Sequence, residues 1–270
     1  MEHKFNELTV ELVAEAAGGD RQAVERIVRA LERPVYAVAL RMLLEPRDAE
    51  DATQEALIRI VTRLAQFRGE SRFSTWALRI AIRRIVDYRE QRSPRVTFER
   101  FSEDLHDGLE PDAVERPEHA VLYRQLKQLC TRAMLQCLDV DHRIAFVLGE
   151  ILELTSSEAA EILDVDAATF RKRLSRARAS LAAFLEQNCG VANEQAACAC
   201  HRRMPRALAL GRVRPEVQPA PSEDVSELRR RLKLLPQAER AGALYRDIAE
   251  LRDGPEFAPK LQAILSQFLD

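Results

Sequence analysis

The stretch TFRKRLSRARASL, residues 169–181, places five basic side chains, Arg171, Lys172, Arg173, Arg176 and Arg178, within eight positions and no acid among them. Guanidinium and ammonium groups at that density bind phosphates, and the two-pronged arginine donor also pairs with the acceptor edge of guanine. Thr169 and Ser175 add hydroxyls to the same run. Phe170, Leu174, Ala177, Leu181 and Phe184 recur at alternating spacings of four and three, which sets the run on a helix whose basic side chains fall outside the buried stripe. A solvated basic face on an ordinary bundle helix is the plainer alternative. Just upstream, Thr155 followed three residues later by Glu158 has the form of a capping box. The helix it opens ends near Leu163, and Asp164-Val165-Asp166 supplies a turn whose last acid caps the basic helix. Two helices across a short turn, the second basic, predict a helix-turn-helix that enters the major groove of duplex DNA.

A second constellation lies at 67–90, FRGESRFSTWALRIAIRRIVDYRE. Phe67, Phe73, Trp76 and Tyr88 alternate there with Arg68, Arg72, Arg79, Arg83, Arg84 and Arg89. Arginines take phosphates and a ring accepts an unstacked base, so the mixture suits single-stranded or melted nucleic acid. Trp76, Ile80 and Ile85 also fit a helix core, which makes Phe73 and the arginines the better candidates for contact. Preceding it, Asp48, Glu50, Asp51 and Glu55 crowd the first turns of a helix whose Ala49, Ala52, Ala56, Ile60 and Leu64 face inward. Acids near a helix N-terminus are favourable through the dipole alone.

The elements that must position these groups are helices. Glycine is scarce and Ala, Leu, Glu and Arg dominate, which predicts an all-α chain. Forty-one basic and 43 acidic residues leave a net charge of −2, so the basic runs are offset by acidic ones elsewhere. One such run, 96–118, holds eight acids and two bases with Pro111 and Pro117 and reads as an exposed linker without sustained helical periodicity. A Pro-rich spacer follows at 211–221. The expected organisation is a helical block at 1–95, the linker at 96–118, a helix-turn-helix block at 119–187, a cysteine-containing segment at 188–210, the spacer, and a helical extension at 222–270. No apolar run nears the ~18 residues of a membrane span, and the first residues are acidic rather than a basic and then apolar leader; a cytoplasmic location without membrane association is expected. His3, His106, His119, His142 and His201 are scattered, and no nucleophilic triad or glycine-rich phosphate loop is present in the sequence, so an enzyme is not expected.

Cys189, Cys198 and Cys200 cluster beyond the basic helix, while Cys130 and Cys137 sit seven apart on one helical face. Cys189, Cys198, Cys200 and His201 are candidate ligands for zinc, which takes thiolate and imidazole in tetrahedral geometry. A thiol redox switch and inert packed cysteines are the alternatives. Downstream, Val225, Leu228, Leu232 and Leu235, then Ala241, Leu244, Ile248 and Leu251, then Leu261, Ile264, Leu265 and Phe268 form three amphipathic stripes broken at Pro236 and Pro255. Such helices must bury their stripes, here as a module on the upstream blocks whose packing the cysteines would modulate.

AGGDRQAVERIV, DAEDATQEALIRIV, FRGESRFSTWALRIA and the helix-turn-helix with RKRLSRAR occur in an order and spacing that resembles the extracytoplasmic-function group of RNA polymerase sigma factors, over about residues 9–187. The resemblance implies a non-catalytic initiation factor of two helical domains that needs no cofactor, with core RNA polymerase and promoter DNA as partners and an anti-sigma factor as a further candidate partner. By the same resemblance, Asp48, Asp51, Gln54 and Glu55 dock on the polymerase. Arg68, Arg72, Phe73, Trp76, Arg79, Arg83 and Arg84 capture the minus-ten element. The helix bearing Thr169, Arg171, Lys172, Arg173, Ser175, Arg176 and Arg178 reads the minus-thirty-five element, and the acidic linker threads near the RNA exit path. The sequence departs from the family at Ile82 and Arg83, where Asn is frequent, and at Ala168, where Gly is frequent. A stand-alone helix-turn-helix regulator that binds duplex DNA without polymerase is the competing expectation.

Overall fold

The computed structural model describes residues 8–43, 45–92, 96–218 and 224–246, without the side chains of 90–92 and 237–238. The stripes at Ile248, Leu251, Leu261, Ile264, Leu265 and Phe268 therefore lie outside the described residues. Within them the chain is helical, and the β-structure is confined to an isolated bridge between Cys189 and Cys198. The described residues form two compact units, one within 8–92 and 147–172, the other within 96–146 and 173–246.

In the first unit, Thr9 caps α1 (Val10–Ala17) through the Leu12 amide, and Asp20 caps α2 (Arg21–Met42) by accepting from the amides of Gln22 and Ala23 at 2.8 and 3.0 Å. Pro46 opens α3 (Pro46–Val61) at the first helical position, where its missing N–H costs nothing. Ala49, Ala52, Ala56 and Ile60 of α3 are buried as the alternation predicts, and these small residues let α3 lie close to α2 and to α4 (Phe73–Arg92). Ile27, Leu31 and Val35 fill the centre from α2.

The second unit begins with a departure from expectation. The acidic stretch is not a bare linker: α5 (Phe98–His106) forms within it, capped by Thr97, whose hydroxyl accepts from the Arg100 amide. Phe101 and Leu105, four apart, are buried, and Phe101 stacks on Phe184 at 5.5 Å between centroids. Three apolar residues, Phe98, Phe101 and Leu105, in a nine-residue acid-rich helix give only a short periodic signal; the helix is stabilised by a surface remote in sequence.

α6 (Ala120–Gln136) is the axis of this unit, followed by α7 (Val140–Phe146), which runs on into a π-helical turn, Val147–Ile151. Arg143, 0 % exposed, caps the C-terminus of α6 by donating to the carbonyls of Gln136 and Leu138, both at 2.8 Å. That geometry needs a planar fork of donors, and it satisfies carbonyls a helix end leaves open. After α8 (Ser156–Leu163) and α9 (Ala167–Asn188), the extension contributes α10 (Cys200–Ala209), α11 (Val225–Lys233) and α12 (Gln237–Arg246). Val225, Leu228 and Leu232 are buried, as are Ala241 and Leu244, each large side chain contributing roughly 1.5–3 kcal/mol. α10 and α11 pack on α6, and the Tyr245 hydroxyl of α12 donates to the Thr131 carbonyl at 3.0 Å while its ring meets Phe146 edge-on.

Candidate nucleic-acid interface

The helix-turn-helix forms as its sequence directs. Thr155 and Glu158 make the capping box, with the Glu158 carboxylate accepting from the Thr155 amide at 2.9 Å. The Thr155 hydroxyl beside it holds the Glu158 carboxyl below its ordinary pKa. α8 ends where Asp164 takes the left-handed conformation at φ 59°, and the Val165 amide closes the turn on the Ala160 carbonyl at 3.1 Å. Aspartate tolerates this region better than most residues, so the turn needs no glycine. Asp166 then caps α9 through the Thr169 amide at 2.8 Å and also accepts from the Thr169 hydroxyl at 2.7 Å.

Phe170, Leu174, Ala177, Leu181 and Phe184 are all buried, as the alternating spacing predicts. Arg171, Lys172, Ser175, Arg176 and Arg178 are exposed. Thr169 is engaged within the fold by its cap, and half-buried Arg173 by an ion pair with Asp141 at 2.7 Å.

The second constellation is arranged differently. Phe73 is only 4 % exposed and lies stacked on Trp76 at 5.5 Å, with Phe67 edge-on to it at 5.3 Å. Its ring is a core element at the start of α4 rather than an open platform for a base, which corrects the sequence reading. Trp76 is half-buried and Arg68 and Arg72 are exposed. α8 packs on α4 inside the first unit. There Arg79 donates to the Glu161 carbonyl at 2.6 Å, Arg72 lies 4.0 Å from the Glu158 carboxylate, and Arg83 lies 3.8 Å from that of Asp164. Arg84 pairs with Glu55 on α3. Of the four α3 residues expected at the polymerase, Asp51 and Glu55 are exposed, Gln54 is half-buried, and Asp48, also half-buried, accepts from the Tyr88 hydroxyl at 3.3 Å.

The cysteines gather, but not as the expected set. Cys189 and Cys198 are bridge partners, with the Gly190 amide donating to the Cys198 carbonyl at 2.7 Å. A β-carbon on Gly190 would meet that carbonyl at 2.9 Å, so only glycine fits. Cys130 of α6 joins Cys189, Cys198 and Cys200 around an apolar cavity of about 40 Å3, whose lining does not include His201. Among the described residues no group of three or more His, Cys, Asp or Glu is placed to hold a metal ion, so the candidate zinc set Cys189, Cys198, Cys200 and His201 is not supported. Two physical reasons account for this. Cys200 and His201 are consecutive on α10, about 100° apart around the helix. Burial also pushes the thiols up, Cys198 to about 12 with Cys189, Cys200 and Cys130 raised as well, so a metal would have to displace protons held more tightly than on a free thiol. The same burial makes them poor nucleophiles toward peroxide.

The family models for Sigma-70 region 2 and Sigma-70 region 4 match residues 27–95 and 128–181. The chain is 30% identical over 174 residues to the ECF RNA polymerase sigma-E factor of Escherichia coli (strain K12), covering 63% of this chain and 90% of that one. It is 28% identical over 175 residues to the RNA polymerase sigma-H factor of Pseudomonas aeruginosa, with the same coverage of 63% and 90%. Among solved structures, CnrH in complex with the cytosolic domain of CnrY superposes with a TM-score of 0.48 at 23% identity, over 65% of this chain and 95% of that one.

Proposed function

The chain belongs to the extracytoplasmic-function (ECF) RNA polymerase sigma factors, which bind the core enzyme and direct transcription initiation, and we propose how its residues divide that task. The observation that carries the assignment is the outward basic face of α9. Arg171, Lys172, Arg176 and Arg178 are exposed on a helix fixed at its N-terminus by a capped turn. They dock in the major groove of the minus-thirty-five element, where phosphate contacts set the register and the arginine forks read guanine edges. Thr169, Ser175 and Arg173 border this face and complete it.

Arg68, Arg72, Arg79, Arg83 and Arg84 hold the backbone of the minus-ten element as it melts, and Trp76 offers the partly open ring of the aromatic cluster to an unstacked base. Phe73 supports Trp76 from behind. Asp51 and Glu55, with Asp48 and Gln54, form the acidic ridge for the polymerase. The protein contributes binding and orientation without catalysing a reaction or requiring a cofactor. No described helix is long and apolar enough to cross a membrane.

Transcription from a promoter library with purified core polymerase and this chain tests the assignment, with the start sites sequenced. Defined start sites that require both proteins are expected. A chain that binds duplex promoter DNA tightly alone and changes no start site in the presence of core polymerase would instead be a stand-alone regulator. Asp51→Lys with Glu55→Lys should weaken core binding about tenfold or more through like-charge contact while leaving helix content unchanged, as a pull-down and circular dichroism would show.

A further inference from the structure

The C-terminal extension meets the acidic segment of the chain along a surface that the assignment above does not use. Arg203 of α10 is 2 % exposed and reaches the Asp104 carboxylate at 3.1 Å while also donating to the Asp107 carbonyl. Arg212, just beyond α10, grips both oxygens of Asp104 at 2.6 and 2.8 Å. Arg206 places two donors on one oxygen of Asp107 at 2.6 and 3.0 Å. The Glu110 amide donates to the Arg202 carbonyl at 3.1 Å, and Arg229 and Ser226 of α11 both reach Glu115. A side chain at Gly108 would run into the aliphatic stem of Arg206 at 2.9 Å, so the backbone itself is approached closely. Arg212 holds the Asp104 carboxyl below its ordinary pKa, as expected of a committed ion pair.

This is more than surface charge pairing. Exposed pairs contribute little singly, but here one guanidinium is buried, two others place paired donors on a carboxylate, and all converge on one short helix and the turn after it. The other anchors of that helix are Phe98 and Phe101 against Phe184, buried Leu105, and the Ser102 hydroxyl, which donates to Asn188 at 2.7 Å. Deprived of the arginines, α5 would present a cluster of acids and one apolar edge.

We propose that the basic face formed by Arg203, Arg206 and Arg212 is an intramolecular binding surface for the acidic segment 98–116, and that it competes with core polymerase for that segment. The inference rests on the sigma-factor assignment and adds a regulator in cis. The extension holds the acidic segment folded as α5 and its following turn, and initiation requires its release. The occupant is the chain's own acidic helix, selected by charge and by the fit at Gly108.

The test uses the full chain. Arg203 is buried, so the informative variants are at Arg206 and Arg212, whose side chains are partly exposed. Arg206→Ala with Arg212→Ala should speed amide exchange across Phe98–His106 and raise initiation at limiting core polymerase by about fivefold or more. The exchanged pair Arg206→Asp with Asp107→Arg should return both readouts toward those of the unaltered chain. Unchanged exchange in the double alanine variant would overturn the binding surface. Faster exchange with equal or lower initiation would overturn the competition. If neither the unaltered chain nor any variant bound core polymerase, the sigma-factor assignment itself would fail and the proposal with it; binding by every form with unchanged initiation would remove the clamp alone.

Discussion

The arginines of α4 and those of α9 look alike in sequence and are engaged differently within the fold. On α4, Arg72, Arg79, Arg83 and Arg84 lie against Glu158, the Glu161 carbonyl, Asp164 and Glu55, and the neighbouring Phe73 is core. On α9, Arg171, Lys172 and Arg176 stand exposed beyond a buried stripe, while Arg173 is drawn into an ion pair with Asp141. A basic helix therefore presents its charge when its apolar stripe is narrow and continuous. Where acids and carbonyls of another helix come within reach, part of that charge is engaged within the fold, while Arg72 and Arg83 keep most of their surface exposed.

The strongest way to break this contrast is at the aromatic cluster. Phe73→Ala should cost about 3–5 kcal/mol of stability, read by urea unfolding, because it empties a core site. A variant of normal stability with impaired promoter melting would make Phe73 an interface residue after all. Next in size, Arg171→Ala with Arg176→Ala should leave stability and core binding intact while each lost base contact costs about 1–3 kcal/mol of promoter affinity. Retained promoter-specific initiation would show that the exposed face is not the reading face. A finer comparison sets Arg83→Ala against Arg176→Ala: the first should lower stability by up to about 1 kcal/mol and the second should not change it. Equal effects would erase the distinction between committed and presented charge.

The smallest effect is one of pH. Glu158 has a folded pKa below its unfolded value, chiefly through the Thr155 hydroxyl. Its contribution is thus fully present above the unfolded value and is lost as pH falls through the folded one. Amide protection at the start of α8 should weaken on acidification through that window before protection around buried Leu31 in the middle of α2 is lost. Simultaneous loss at both would indicate global acid unfolding.

Sequence reasoning reached the recognition helix in detail because everything that shapes it is local: the capping box, the αL aspartate, the second cap and the stripe lie within about thirty residues of one another. It missed α5 because the groups that hold it, Phe184, Arg203, Arg206 and Arg212, are distant in the chain, and its stripe of Phe98, Phe101 and Leu105 is only about two turns long among acids. It assigned Phe73 to the interface because an aromatic beside arginines has the same letters whether it faces a base or Trp76. Cys130 was placed on a helix face correctly in kind, but its meeting with Cys189, Cys198 and Cys200 depends on how the extension folds back on α6. The expected zinc set failed for a related reason: spacing records proximity along the chain, not the directions in which Cys200 and His201 leave α10.

The packing of the extension on α6 also bears on solubility. Leu126 and Met134 of α6 share an apolar cavity with Leu244, and Tyr245 closes over the Thr131 carbonyl. A fragment ending near residue 187 would bare this strip, and a contiguous apolar surface drives self-association. Loss of transcription by such a fragment would then report precipitation rather than the removal of a regulator. Point substitutions at Arg206 and Arg212 leave the strip covered, so they separate the handling properties of the chain from its control.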